Sequence, residues 1–139
     1  MTEKFVHIEV SDYAALVTMH RQPVNALSRE MRRQLVAAFD EISARDDIRC
    51  AVLTANGSVF CAGADLKDRP SEDIPGDFLE HNRITRETAN AIRECAKPVI
   101  AAVNGAALGA GLGLMAACDI LYASENATFG MPEINVGLA

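Results

Sequence analysis

The chain is poor in basic charge and in aromatic side chains, and both shortages limit what it can bind. Lysine and arginine together number 13, against 19 aspartates and glutamates, so the formal net charge is −6. Because nucleic-acid binders need a basic face, we expect no nucleic-acid partner. Tryptophan is absent, and five phenylalanines and two tyrosines indicate an aliphatic core rather than a stacking surface. A small anionic ligand stays compatible, because a few local cations can outweigh the overall charge.

Closely spaced cysteines and histidines are also lacking. The four cysteines (Cys50, Cys61, Cys95 and Cys118) form no CxxC pair, and the three histidines show no ligand spacing. A zinc site needs paired ligands, so we expect no metal site and reduced thiols in the core. The first residues show no basic start, apolar run and small-residue cleavage site, so the expected location is cytoplasmic.

The longest apolar stretch, residues 99–117, is long enough to suggest a membrane span. It contains Asn104 and several glycines, however, and Cys118-Asp119 follows it. These features favour a buried strand followed by a tightly packed helix, so we expect no membrane partner.

Strand and helix patterns alternate along the chain, which predicts an α/β fold in one domain. Alternation at 5–10 and the apolar run 15–19 predict a hairpin. Ser28 is a good N-cap for a helix ending near Ala44, with Arg29, Arg32, Arg33 and Asp40 expected outside its apolar face. The other expected elements are strands at 50–54, 99–103 and 120–123, helices at 77–95 and 105–118, and a surface loop at 69–77.

Two segments, 61–67 and 104–113, are unusually rich in small residues. Small residues let a ligand approach the main chain, and the first N–H groups of a helix have no internal partners and favour negative charge. Two such segments facing each other would form an oxyanion hole. On composition alone, close helix packing explains the second segment equally well. A dinucleotide-binding turn is a third reading, which Gly113 fits poorly because it comes one residue too early.

Five segments in order resemble the signature of the enoyl-CoA hydratase/isomerase (crotonase) family. They are Val24-Asn25-Ala26-Leu27-Ser28 and residues 60–67, 97–105, 118–120 and 129–133. The resemblance covers nearly the whole chain. It implies a crotonase-like spiral of ββα units, with residues 1–139 forming an incomplete core domain that stops before the C-terminal helical region.

The resemblance also assigns binding residues. In this family two backbone N–H groups bind the thioester oxygen, and here they belong to Ala64 and Ala110. Lys67 and Arg21 are candidates for contacts with phosphates. The coenzyme A of the family passes two of the segments, which implies substrate contacts for Asn25, Ala26, Leu27, Ala62, Asp65, Leu66 and Lys67.

Hydratases of the family use two glutamates, and this chain has one of them. Glu133 aligns with the second, whereas Gly113 stands at the position of the first. One glutamate can shuttle a proton between two carbons, so the pattern favours isomerisation over hydration, with decarboxylation or carbon–carbon cleavage also possible. Asp65 and Asp119 are expected to be structural hydrogen-bond acceptors, and Glu125 to be inert.

The implied ligand is therefore an acyl-CoA thioester, bound as substrate and without a further cofactor. The family further implies a homotrimer or hexamer for a full-length protein. A competing reading is a non-catalytic acyl-CoA-binding or scaffold protein, which the missing glutamate favours. A nucleotide-dependent oxidoreductase is a more distant alternative.

Overall fold

The computed structural model describes residues 2–137, which contain two sheets and three α-helices. The strands are β1 (Val6–Ser11), β2 (Ala14–Met19), β3 (Cys50–Ala55), β4 (Val59–Cys61), β5 (Val99–Val103), β6 (Ala106–Leu108), β7 (Ile120–Ala123) and β8 (Phe129–Gly130), and the helices are α1 (Arg29–Ala44), α2 (Asp77–Arg93) and α3 (Ala110–Ala116). The larger sheet has the order β1-β2-β3-β5-β7, with β1 antiparallel to β2 and the other pairs parallel. The smaller sheet is parallel, in the order β4-β6-β8.

Helix α1 begins and ends where its sequence predicts. The Ser28 hydroxyl accepts a hydrogen bond from Met31 N at 3.2 Å, which satisfies one of the unpaired donors of the first turn. After the helix ends, the Lys97 ammonium donates to the carbonyls of Arg45 and Ile48. The apolar positions Met31, Leu35, Ala38, Phe39 and Ile42 are all buried in the core, as expected.

The placement of Arg32 outside the apolar face of α1 is wrong. Arg32 is only 3% exposed. Helix α1 packs against both the β1 strand and α2, so its buried arc is wider than the apolar stripe that the sequence shows. The neighbouring Arg33 is exposed, as predicted.

The single helix predicted for residues 105–118 is also wrong in its first part. Residues 106–108 form strand β6, and the helix begins only at Ala110. Between them Gly109 has φ 55° and ψ −121°, a backbone conformation that favours glycine. A β-carbon at Gly111 would lie 2.2 Å from the Cys61 carbonyl oxygen, so part of the small-residue run does serve close packing. The smaller sheet as a unit was not predicted, because its strands have only two or three residues.

The segment before α2 is held against α1 by one carboxylate. Asp77 forms an ion pair with the Arg29 guanidinium and accepts a hydrogen bond from Ser71 N at 2.7 Å. The guanidinium of Arg29 and the Ser71 N–H hold the pKa of Asp77 at about 2. The predicted loop is therefore anchored at its end to the first turn of α1.

Strand β7 forms one edge of the larger sheet, and its four residues are exposed. Parallel strands are normally covered on both faces, so this exposure is unusual. Large apolar side chains around it are also exposed, namely Ile120, Leu121, Tyr122, Phe129, Met131, Ile134 and Val136. Within residues 2–137, no helix has the length and hydropathy needed to cross a membrane.

Candidate functional site

The segment that follows β4 presents an unused backbone donor. Leu27 donates its N–H to the Gly63 carbonyl at 2.8 Å and accepts the Asp65 N–H at 3.0 Å. In a parallel bridge of this kind the central residue of the opposite segment, Ala64, directs its own N–H away from Leu27. Ala64 is exposed, and within residues 2–137 its N–H has no hydrogen-bond acceptor.

The start of α3 provides a second such donor beside the first. Ala110 is the first helical residue, so its N–H has no partner inside the helix. The two segments are in direct contact, because a β-carbon at Gly63 would lie 3.0 Å from the Leu108 carbonyl oxygen and 3.6 Å from Ala110 N. Gly63 has φ +105°, so both the space and the backbone conformation require glycine there. The N–H groups of Ala64 and Ala110 thus lie on adjoining segments of main chain.

Glu133 brings a carboxylate to the same place. It lies in the 3₁₀ helix Pro132–Val136, and its Oε1 would be 2.2 Å from a β-carbon at Gly109. The carboxylate therefore packs on the main chain immediately before Ala110. Its Oε2 atom is buried and has no hydrogen-bond partner among residues 2–137. Buried polar atoms are rarely left unpaired, so this unpaired carboxylate oxygen makes Glu133 a candidate functional residue.

These features surround one cleft of about 220 Å³, whose walls are mainly apolar. Among the described residues, Glu133 is the only one that contributes a carboxylate to the lining of this cleft. The lining residues are Ala62, Gly63, Ala64, Leu66, Gly109, Pro132, Glu133, Asn135 and Val136.

Gly113 lies one helical turn beyond Gly109, to whose carbonyl its N–H donates at 3.1 Å. It is exposed, and no atom lies within 4 Å of the position that its β-carbon would occupy. The glycine is therefore not required by packing or by its backbone. The position could hold a longer side chain, and in this sequence it holds none.

Asn25 belongs to the segment predicted to pass the coenzyme, and its side chain is fully buried. Its Nδ2 donates to the carbonyls of Asn56 and Val59, and its Oδ1 accepts from Arg21 N. Leu27 is also buried, at 2% exposure, and acts through its backbone. Leu27 holds the Ala64 segment in place, whereas Asn25 fixes its own loop against Asn56 and Val59. The intervening Ala26 stays partly exposed.

A larger groove runs beside this segment and is lined in part by Asp65. It has a volume of about 620 Å³ and is lined by residues that include Phe5, Arg21, Ala26, Asp65 and Lys67. Arg21 forms an ion pair with Asp65 at 2.8 Å, so its charge is already compensated. Lys67 is exposed, and its side chain has no ion pair within residues 2–137.

Asp65 has the structural role expected for it. Burial acts to raise its pKa, but the Lys67 N–H and the Arg21 guanidinium together bring that pKa below its usual value. Asp119 is structural as well, since its carboxylate accepts the Val99 N–H at 2.8 Å. Glu125 lies exposed in a turn.

The cysteines of the described residues are free thiols, as expected. Burial raises the pKa of Cys61 to about 11 and that of Cys118 to about 12, so both are neutral at pH 7. Among residues 2–137 no three histidine, cysteine, aspartate or glutamate side chains are grouped as metal ligands.

Two glycines of the site, Gly63 and Gly109, were not singled out from the sequence. Each has a positive φ and each lies against another part of the site. Their signal in the sequence was the small-residue composition of the two segments, which does not distinguish the glycines that contact Glu133 or Leu108 from those that only pack.

Comparison with known proteins gives consistent matches to one family. The profile of the family described as "Enoyl-CoA hydratase/isomerase" matches residues 9–139. The protein YngF of Bacillus subtilis (strain 168), whose name assigns it to the enoyl-CoA hydratases/isomerases, is 44% identical over 132 residues, which are 92% of this chain and 50% of that protein. The mitochondrial Delta(3,5)-Delta(2,4)-dienoyl-CoA isomerase of Homo sapiens is 41% identical over 83% of this chain and 38% of its own length.

Solved structures show the same relationship in the fold. The crystal structure of an enoyl-CoA hydratase from Mycobacterium smegmatis superimposes with a TM-score of 0.90 at 35% identity, over 98% of this chain and 54% of that one. The crotonase-like fold predicted from the sequence is therefore confirmed. The chain spans about half the length of the relatives it matches.

Proposed function

Because the chain belongs to the enoyl-CoA hydratase/isomerase family, we propose that it forms the acyl-CoA site of an enzyme that stabilises a thioester enolate. The observation that carries this proposal is the unpaired, buried Oε2 of Glu133 beside the adjoining Ala64 and Ala110 segments. The thioester oxygen accepts the two N–H groups. The acyl carbon next to the thioester then lies within reach of the carboxylate.

The proposed chemistry follows from this arrangement. The Glu133 carboxylate takes a proton from the carbon α to the thioester, and the electron pair of that C–H bond moves into the enolate. The charge collects on the oxygen, where aligned donors stabilise it; losing one such donor typically costs about 10²- to 10³-fold in rate. The same carboxyl group returns the proton to the γ carbon, so a 3-enoyl thioester becomes a 2-enoyl thioester without gain or loss of atoms.

Gly113 favours isomerisation over hydration. Adding water across the double bond calls for groups that orient and activate the water molecule, and in the described part of the cleft Glu133 is the carboxylate that lines it. A proton transfer between two carbons of one substrate needs only a single acid–base group. We therefore place isomerase activity ahead of hydratase activity.

The groove beside Lys67 is the proposed location of the coenzyme A moiety. Its volume of about 620 Å³ exceeds that of the cleft, and it adjoins the Ala62–Lys67 segment. Lys67 would attract the phosphates, whereas the charge of Arg21 is directed to Asp65. The ligand itself carries the coenzyme, so the proposal includes no additional cofactor. A cytoplasmic homotrimer or hexamer remains the expected form of the full-length protein.

The test is a side-by-side assay of the full-length protein with 3-enoyl-CoA and 2-enoyl-CoA substrates. We expect conversion of the 3-enoyl ester to the 2-enoyl ester at a rate well above the rate of hydration. Strong hydration without isomerisation would reverse the proposed order of the two activities.

A non-catalytic acyl-CoA-binding protein is the second candidate, and the open position at Gly113 favours it. Isothermal titration with a saturated acyl-CoA distinguishes the two. Tight binding without turnover of any enoyl-CoA ester would support a binding protein, whereas turnover supports the enzyme.

A further inference from the structure

A buried arginine without an ion-pair partner lies on the inner face of α1. Arg32 is 3% exposed, and its Nε has no hydrogen-bond partner in the described chain. No carboxylate within residues 2–137 forms an ion pair with it. The adjacent arginines differ, because Arg29 pairs with Asp77 and Arg33 with Glu80.

Such a charge is costly to bury. Desolvation lowers the pKa of Arg32, yet a guanidinium remains charged at neutral pH. An unpaired buried ion destabilises a folded protein, and replacing it with an apolar side chain of similar volume is often stabilising. Features that break a local rule in this way are expected at functional sites.

Arg32 lies just behind the segment that carries Ala64. Leu27, directly before α1, holds both Gly63 and Asp65 through its backbone, and the N–H of Arg29 donates to Asp68 at 2.5 Å. Arg32 follows one turn later on the buried side, with its N–H bonded to the Ser28 carbonyl at 3.0 Å. The first turns of α1 therefore form the support on which the segment rests.

Groups on both sides of Ala64 act on the charge of Arg32, and the negative one is Asp68, four residues after Ala64. Cys61, the last residue of β4 and three positions before Ala64, is close enough for the Arg32 charge to act on its pKa. Burial still raises the pKa of Cys61 to about 11, so the thiol is neutral at pH 7 and does not compensate the guanidinium.

We propose that Arg32 is a positioning residue of the reaction, whose buried charge, held in no ion pair, makes the main-chain donors around Ala64 more attractive to the enolate oxygen. The inference rests on the proposed enolate chemistry. A buried charge acts through a medium of low dielectric and is little screened by salt, so its field reaches further than that of a surface arginine. Because the charge is fixed before the reaction, no reorganisation is needed when the enolate forms.

The test uses Arg32→Met in the full-length protein, with Arg32→Lys as the charge-conserving variant. Arg33→Met is the matched control, since Arg33 is the next residue on the same helix but is exposed and paired. We measure kcat, KM, the melting temperature and the infrared carbonyl stretch of a bound acyl-CoA thioester. For Arg32→Met we expect kcat to fall about tenfold with KM nearly unchanged, the carbonyl stretch to move toward its value in water, and the melting temperature to rise.

Arg32→Lys should restore most of kcat and of the carbonyl shift, and Arg33→Met should leave both unchanged. If Arg32→Met instead melts lower, with kcat lost only in proportion to folded protein, the role is structural and the proposal fails. It also fails if the loss is confined to thioesters whose acyl group carries a second carboxylate, because Arg32 would then be a substrate contact. Wild-type protein that shows neither carbonyl shift nor turnover would refute the proposed function itself. If the wild type shows turnover and a carbonyl shift, and Arg32→Met shows the same kcat and the same shift, this inference alone is refuted.

Discussion

Gly109 and Glu133 are in direct contact, and the position of the Glu133 carboxylate requires a residue without a side chain at position 109. A β-carbon at Gly109 would lie 2.2 Å from Oε1 of the Glu133 carboxylate, so any larger residue would displace that group. The positive φ of Gly109 also ends β6 and starts α3 at Ala110. One glycine thus sets the position of both the carboxylate and the second N–H donor.

Replacing Glu133 with glutamine tests its role as the proton carrier. The amide cannot accept the substrate proton, while its size and its contact with Gly109 are kept. We expect turnover to fall by about 10²- to 10⁴-fold, with the dissociation constant of a saturated acyl-CoA nearly unchanged. Glu125→Gln, at an exposed turn, is the control and should behave as wild type. Unchanged turnover in Glu133→Gln would remove this residue from the mechanism.

Alanine substitutions at Gly109 and Gly113 distinguish a glycine that is required by its contact with Glu133 from a glycine that only lowers helix propensity. Gly109→Ala should displace Glu133 and strain a backbone with φ 55°, so we expect both lower kcat and a lower melting temperature. Gly113→Ala places the same methyl group in open space on a helix, where alanine is favoured by about 0.5–1 kcal/mol. That variant should melt higher and keep its activity. Equal effects at the two positions in thermal melts and assays would contradict the structure of the site.

Gly113→Glu tests whether the missing acid explains the expected preference for isomerisation. No atom lies within 4 Å of the β-carbon position, so a side chain can begin there without a clash. We expect the variant to gain hydratase activity toward 2-enoyl-CoA. The measurement is the loss of the absorbance of the double bond that is conjugated to the thioester. Gly113→Gln, of equal size but without the acid, should gain much less. A properly folded Gly113→Glu protein with no gain would show that a second carboxylate at this position is not the limiting factor.

The elements that follow simple periodicity could be predicted from the sequence, and those that depend on neighbouring segments could not. Ser28 and the apolar stripe of α1 predict that helix and its end near Ala44, because both signals are local. Strand β6 was hidden inside a run of small residues, since Gly105 and Gly109 do not show from sequence alone where a strand gives way to a helix. Burial of Arg32 depends on α2 packing over α1, which no pattern within α1 reveals.

The site was predicted in the same uneven way. The segments around Ala64 and Ala110 were recognised through their family resemblance, and the structure brings them together with Glu133. Asn25 was assigned to the ligand because it lies in a motif of the family. Its side chain makes three hydrogen bonds to main-chain atoms of Arg21, Asn56 and Val59, a role that only the folded geometry shows.

The ion pair between Asp77 and Arg29 predicts a pH dependence of stability. The pKa of Asp77 is lowered from 3.8 to about 2, mainly by the Arg29 side chain. A carboxyl group whose pKa is lower in the folded state contributes stability above its unfolded pKa, and this contribution is lost as the pH falls through the folded value. Asp77→Asn should therefore melt lower than wild type at pH 7, and the difference should shrink between about pH 4 and pH 2. Asp73→Asn, exposed in the same loop, should show no such difference; a gap for Asp77→Asn that persists below pH 2 would contradict the assignment.

Lys67 is the cation that we expect to attract coenzyme A to the groove. It is exposed beside the Ala64 segment and, within the described chain, is not engaged in an ion pair, unlike Arg21. Lys67→Gln should raise the dissociation constant of an acyl-CoA several-fold while leaving kcat at saturation unchanged, because the lysine contacts the carrier and not the reacting carbons. The ratio of the dissociation constants of variant and wild type should shrink as salt is raised, since the contact is screened.

The control variant Arg49→Gln removes an exposed cation beside Tyr13, outside the residues that line the groove, and should leave binding unchanged. Titrations at two salt concentrations decide the matter: equal affinity of Lys67→Gln and wild type at low salt would place the phosphates elsewhere.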